Sequence, residues 1–136
     1  MTRRDFSVTL AAAAWRARVS GEGFPLVILQ AIAGAHLPAT LTITTRVPEN
    51  LRRSFWELRT YTGADTVLES YLAQLFPRTG IHPLLQESAR ARLTFLIPFD
   101  SFAARDRAWT ELNTDPVWIS ARPRFESYHF TLYRVA

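Results

Sequence analysis

From residue 52 onward, apolar and polar positions alternate in two rhythms, one of period two and one near period four. Phe55-Trp56-Glu57-Leu58-Arg59-Thr60-Tyr61-Thr62 reads as a half-buried strand, with Phe55, Glu57, Arg59 and Tyr61 on one face and Trp56, Leu58 and Thr60 on the other. Gly63 ends it. Asp65 or Thr66 then caps a helix whose apolar positions Val67, Leu68, Tyr71, Leu72, Leu75 and Phe76 form one stripe, stopped by Pro77 and Gly80. A short strand is expected over 82–87 and a stronger one over 93–99, with Arg90 and Arg92 near the hairpin turn between them. Asp100 or Ser101 caps a second helix carrying Phe102, Arg105, Ala108, Trp109 and Leu112, and Asp115-Pro116 closes it. Residues 125–135 alternate again, with Phe125, Ser127, His129, Thr131 and Tyr133 on one side and Tyr128, Phe130 and Leu132 on the other.

The order strand, helix, strand, strand, helix, strand predicts an α+β chain of the ferredoxin-like βαββαβ type. Both helices would cover one face of a four-stranded antiparallel sheet. The most apolar positions, Leu58, Leu93, Phe95, Ile97, Phe130 and Leu132, are assigned to the helix side. The open side then receives Glu57, Arg59, Tyr61, Thr94, Leu96, His129 and Tyr133. A bare sheet face of that kind is a stability and solubility problem in a small domain. It suits a face-to-face homodimer or a small-ligand chamber between two sheets.

The first 50 residues differ in character and are read as an export-signal-like segment and linker, leaving 51–136 as the domain. Arg3-Arg4 ahead of the mild apolar run Val8 to Ala14 resembles a twin-arginine export signal, which implies an exported or periplasmic protein; a cytoplasmic one is the alternative. Trp15-Arg16-Ala17-Arg18 interrupts the run, and Ala31-Ile32-Ala33 and Ala33-Gly34-Ala35 are possible cleavage sites. The apolar stretch 24–43 has about the length of a membrane span, but Pro25, Gln30, His36, Pro38 and several threonines argue against a stable one.

Composition removes several functions. The chain has 136 residues and no cysteine, so disulfide scaffolds, thiolate chemistry and cysteine zinc sites are excluded. Its formal charge of +4 comes from sixteen cations, all arginine, against twelve acids. The arginines are spread along the chain, which is a poor footprint for nucleic acid. His36, His82 and His129 are too scattered for metal-ligand spacing, and neither a nucleophile elbow nor a phosphate-binding glycine loop occurs. No cofactor and no metal are expected.

Phe55-Trp56-Glu57-Leu58-Arg59-Thr60-Tyr61-Thr62 resembles the opening strand of the NIPSNAP family, with its Glu-Leu-Arg-Thr-Tyr run. Thr79-Gly80-Ile81-His82-Pro83 is similar to that family's turn into strand two. Phe99-Asp100-Ser101-Phe102 with Arg105 resembles its entry to helix two, and Asp115-Pro116-Val117-Trp118 the segment after it. Between strands two and three the chain departs from the family, with Leu84-Leu85-Gln86-Glu87-Ser88 in place of a Trp-rich segment. The resemblance covers about 54–136 and implies a dimeric α/β barrel. It implies no particular reaction.

The candidate ligand-binding or dimer-face residues are Glu57, Arg59, Tyr61, Thr94, His129 and Tyr133. Arg59, Tyr61 and His129 on one face could bind an anionic or phenolic ligand, with a fixed charge, a donor and a proton shuttle. The same trio could instead be an interface hydrogen-bond network. Catalytic residues stay unassigned. The expectation is a homodimer of undetermined biochemical activity that binds a small molecule or a protein partner. The alternative is a small-molecule oxidoreductase, since related dimeric barrels include monooxygenases.

Overall fold

The computed structural model describes residues 27–136 except 45, 54, 122 and 123. The proposed signal at Arg3-Arg4 and the run after it lie outside the described residues. In chain order the elements are β1 (Val27–Gly34), β2 (Thr40–Ile43), a 3-10 turn (Glu49–Leu51), β3 (Phe55–Thr62), α1 (Thr66–Arg78), β4 (Leu85–Ala89), β5 (Arg92–Phe99), α2 (Phe102–Thr114), α3 (Pro116–Ala121) and β6 (Ser127–Val135).

The result is a mixed α+β fold on one six-stranded sheet, in the order β2-β1-β6-β3-β5-β4, with every neighbouring pair antiparallel. The element order over 55–135 follows the expected alternation, apart from α3. The strand count does not: the sheet has six strands, and it begins at Val27, inside the stretch read as linker. Threonines at 40 and 42 alternate with Leu41 and Ile43, a β-branched pattern that fits a pleated surface. Among the described residues no helix is long and apolar enough to cross a membrane.

Caps and turns follow local chemistry. The Asp65 carboxylate accepts from the Leu68 N–H at 2.9 Å to start α1, and the Ser101 hydroxyl accepts from the Ala104 N–H at 3.1 Å to start α2. Asp115 ends α2, and its carboxylate accepts from the Val117 N–H at 2.9 Å as α3 begins. Gly34, at φ +87°, lies where β1 meets β6; a Cβ there would collide with the Phe130 carbonyl oxygen.

Two apolar clusters fill the two faces. On the helix side, Leu68, Leu72, Leu75 and Phe76 of α1 and Ala108, Trp109 and Leu112 of α2 pack with Phe55, Leu93, Phe95, Ile97, Phe99 and Leu132 of the sheet. The other face is not bare. Leu29, Leu41, Ile43 and Val47 pack there with Trp56, Leu58, Leu85, Leu96 and Tyr133, all buried within one chain. The expected exposed face is corrected on this point, because residues 27–47 return to supply the missing apolar layer. The turn between β1 and β2 is tied to β6: the Tyr133 hydroxyl donates to the Pro38 carbonyl at 2.7 Å, and the Leu37 N–H donates to the Thr131 hydroxyl at 3.0 Å.

Candidate functional site

The residues with the most distinctive chemistry meet between the sheet and the helices. On β3, Glu57, Arg59 and Tyr61 share the face of Phe55 by the period-two geometry of a strand. Their partners across the sheet are Ile97, Phe95 and Leu93 on β5 and Leu132, Phe130 and Tyr128 on β6. All of these belong to the helix side. Arg105 and Trp109 are one helical turn apart on α2 and reach the same place from above.

Glu57 is the hub. Its Oε2 accepts from Arg59 Nε at 2.6 Å, and its Oε1 accepts from Arg105 Nε at 2.6 Å and Trp109 Nε1 at 2.8 Å. The Glu57 carboxylate is wholly buried, while the arginine side chains keep 9% and 14% of their exposure. Burial of such a charge is tolerable only with partners of this quality. The Arg59 guanidinium carbon lies over the Trp109 ring at 3.7 Å from its centroid and over the Tyr128 ring at 4.7 Å. That geometry suits a weakly hydrated planar cation. Arg105 lies over Phe130 at 4.8 Å.

Although Arg105 also lies 3.5 Å from the exposed Asp106 carboxylate, one buried carboxylate faces two guanidiniums, so the buried part of the cluster carries a surplus positive charge. Beside it the Tyr61 hydroxyl is buried and has no hydrogen-bond partner among the described residues. Burial pushes the Tyr61 hydroxyl up to about 12, although the Arg59 charge pulls the other way. At neutral pH it is therefore a neutral donor. Burial opposes the Arg59 charge, yet Tyr61 and Glu57 hold its ionisation above the ordinary arginine value.

The six expected site residues divide between the two faces. Glu57, Arg59 and Tyr61 are on the helix side, so the expected phase of β3 is reversed and Leu58 takes the opposite face. Thr94, His129 and Tyr133 are on that opposite face, with Leu96 as expected. The proposed trio of Arg59, Tyr61 and His129 is thus not brought together. The reversal has a physical cause: ranking faces by apolarity placed charges away from the helices, whereas Arg105 and Trp109 supply the donors that let Glu57 and Arg59 be buried. Tyr133 is occupied by Pro38. Thr94 shares a 3.2 Å hydroxyl contact with Thr60, and His129 sits opposite Thr60 in the register. Burial and the nearby Arg92 charge hold His129 below the ordinary histidine range.

Arg105, Trp109 and Tyr128 are functional candidates that the strand pattern did not single out. The sign of Arg105 was its place in the apolar stripe of α2, where a charged side chain needs a buried partner. No cluster of three His, Cys, Asp or Glu suited to a metal ion occurs among the described residues.

These features define an α+β protein with a buried, net-positive arginine cluster walled by aromatic rings. No family model matches the chain, and no curated protein does. Among solved structures it is similar to the crystal structure of a NIPSNAP family protein with unknown function from Agrobacterium tumefaciens str. C58. The TM-score is 0.44 and the identity 20%, covering 60% of this chain and 87% of that one.

Proposed function

We propose that this chain is a NIPSNAP-like, ferredoxin-like α+β protein that binds a small molecule on the helix side of its sheet, at Arg59 and Tyr61. One observation carries the reading: the Arg59 guanidinium spends its Nε on Glu57, while the adjacent Tyr61 hydroxyl, close enough to help hold the Arg59 charge, is buried with no hydrogen bond of ordinary length among the described residues. Structural ion-pair networks usually use up their donors, whereas ligand sites leave a few polar groups converging on an apolar wall. Glu57, Arg59, Tyr61, Arg105 and Trp109 are brought together within one chain. The homodimer belongs to the same proposal through the NIPSNAP resemblance, no longer to cover a bare sheet.

The test is a thermal-shift and tryptophan-emission screen of the full chain against small organic anions, neutral aromatics and cations. Trp109 lies against Arg59, so occupancy should change its emission. Binding that survives Arg59→Ala unchanged would remove this site from the function. Light scattering of the same sample reads the oligomeric state. Export through the twin-arginine-like segment is tested separately, by fusing residues 1–50 to a reporter that works only after export.

A further inference from the structure

We infer that the ligand is a planar aromatic carboxylate, held end-on by the Arg59 guanidinium and the Tyr61 hydroxyl; this rests on the helix-side site proposed above. Glu57 engages only Nε of Arg59. The outer edge of the guanidinium therefore presents two parallel N–H groups whose spacing matches the two oxygens of a carboxylate. The Tyr61 hydroxyl adds a neutral donor that is buried without a partner among the described residues, a state that an incoming acceptor oxygen relieves.

Charge narrows the class further. Arg59 shares the buried Glu57 carboxylate with Arg105, and Arg105 also has the exposed Asp106 carboxylate at 3.5 Å, so Arg59 is the less balanced cation and one charge at most is left to meet, which fits a monoanion better than a phosphate dianion. The wall chooses the rest of the molecule. The Tyr61 ring has its neighbours Phe125, Tyr128 and Trp118 at centroid distances of 5.2, 6.0 and 6.2 Å. Trp118 and Phe125 are themselves stacked at 5.7 Å. Tyr61 and Trp118 are buried in the core, so an incoming flat ring would meet the half-buried Phe125 and the half-exposed Tyr128, where an aromatic acid gains ring contacts and an aliphatic one only area. Tyr128 is half exposed and lies over Arg59, so it marks the side from which a ligand reaches the guanidinium.

Isothermal titration of the full chain, with tryptophan emission followed in parallel, tests this using benzoate, benzamide, cyclohexanecarboxylate and inorganic phosphate. Benzoate is expected to bind saturably, about tenfold or more tighter than benzamide, the usual scale for losing a charge-assisted pair, and several-fold tighter than cyclohexanecarboxylate, which keeps the carboxylate but loses the ring contacts, and than inorganic phosphate, which has no ring. Arg59→Lys keeps the charge but loses the paired donors, and should weaken benzoate by about tenfold or more. Tyr61→Phe removes only an unsatisfied hydroxyl. It should leave the melting temperature unchanged or higher while weakening benzoate several-fold, a combination that a purely structural role does not produce. Should Arg59→Lys fail to fold, Tyr61→Phe carries the test. Equal affinity for benzamide and benzoate, or unaltered benzoate affinity in Tyr61→Phe, overturns the inference. Equal, Arg59-dependent binding of all organic probes overturns the aromatic-acid class but leaves the helix-side site standing. Silence toward all four probes at millimolar concentration overturns both.

Discussion

Replacing Glu57 by Gln is the sharpest probe of the buried cluster. The amide oxygen can still accept from Arg105 Nε and Trp109 Nε1, as Oε1 does now at 2.6 and 2.8 Å. The amide nitrogen, however, takes the place of Oε2 and points a donor at Arg59 Nε, where a 2.6 Å charge-assisted bond existed. Arg59 is then left without a counter-charge, and Arg105 keeps only the exposed Asp106 carboxylate at 3.5 Å. Breaking a buried pair in this way costs about 3 to 5 kcal/mol, and we expect about 3, because two of the three hydrogen bonds persist and both arginines keep slight solvent contact. At about 4 °C per kcal/mol for a chain of this size, the melting temperature should fall by about 12 °C. Urea unfolding followed by far-UV circular dichroism gives the free energy directly. Glu111→Gln, exposed on α2, is the control and should change stability by less than about 0.5 kcal/mol. A loss below about 1 kcal/mol in Glu57→Gln would refute the view that this carboxylate holds the cluster together.

Three further outcomes are expected. Leu29 is fully buried on the second face, so Leu29→Ala should cost about 2 to 5 kcal/mol in chemical denaturation; a cost near zero would separate residues before Phe55 from the core. Because the Tyr61 hydroxyl binds its proton more tightly folded than unfolded, its contribution is complete below pH 10 and is lost as pH rises toward about 12. The stability of wild type should therefore decline more steeply than that of Tyr61→Phe over that window, and parallel curves would contradict it. His129 shows the opposite linkage: held low by burial and then by Arg92, it favours the neutral form, so its contribution is present above the ordinary histidine value and is lost as pH falls through its folded value. Arg92→Gln should raise the His129 midpoint in an NMR titration, and an unmoved midpoint would leave burial as the only cause.

Local periodicity was enough to find β3, α1, β5, α2 and β6, since each has one strongly patterned apolar face and a recognisable cap or breaker. It did not find β1 and β2, where an almost continuous run of small and apolar residues hides the alternation of Leu41 and Ile43 with threonines. Nor could it decide which face of β3 meets the helices. A strand carrying Glu57 and Arg59 on one side and Leu58 on the other looks as though the charges should face out. That ranking holds only while a charge has no buried partner, and the partners Arg105 and Trp109 lie about fifty residues away in the chain. Pairing over such distances is a property of the packed chain, because hydrogen bonds to Glu57 and the return of residues 27–47 onto the second face exist only once the sheet and helices have come together. The amino-acid order alone therefore marked β3, α1, β5, α2 and β6, but not β1, β2 or α3, nor the bounds of β4, which spans Leu85–Ala89 rather than 82–87. Packing settled what each face of the sheet was for.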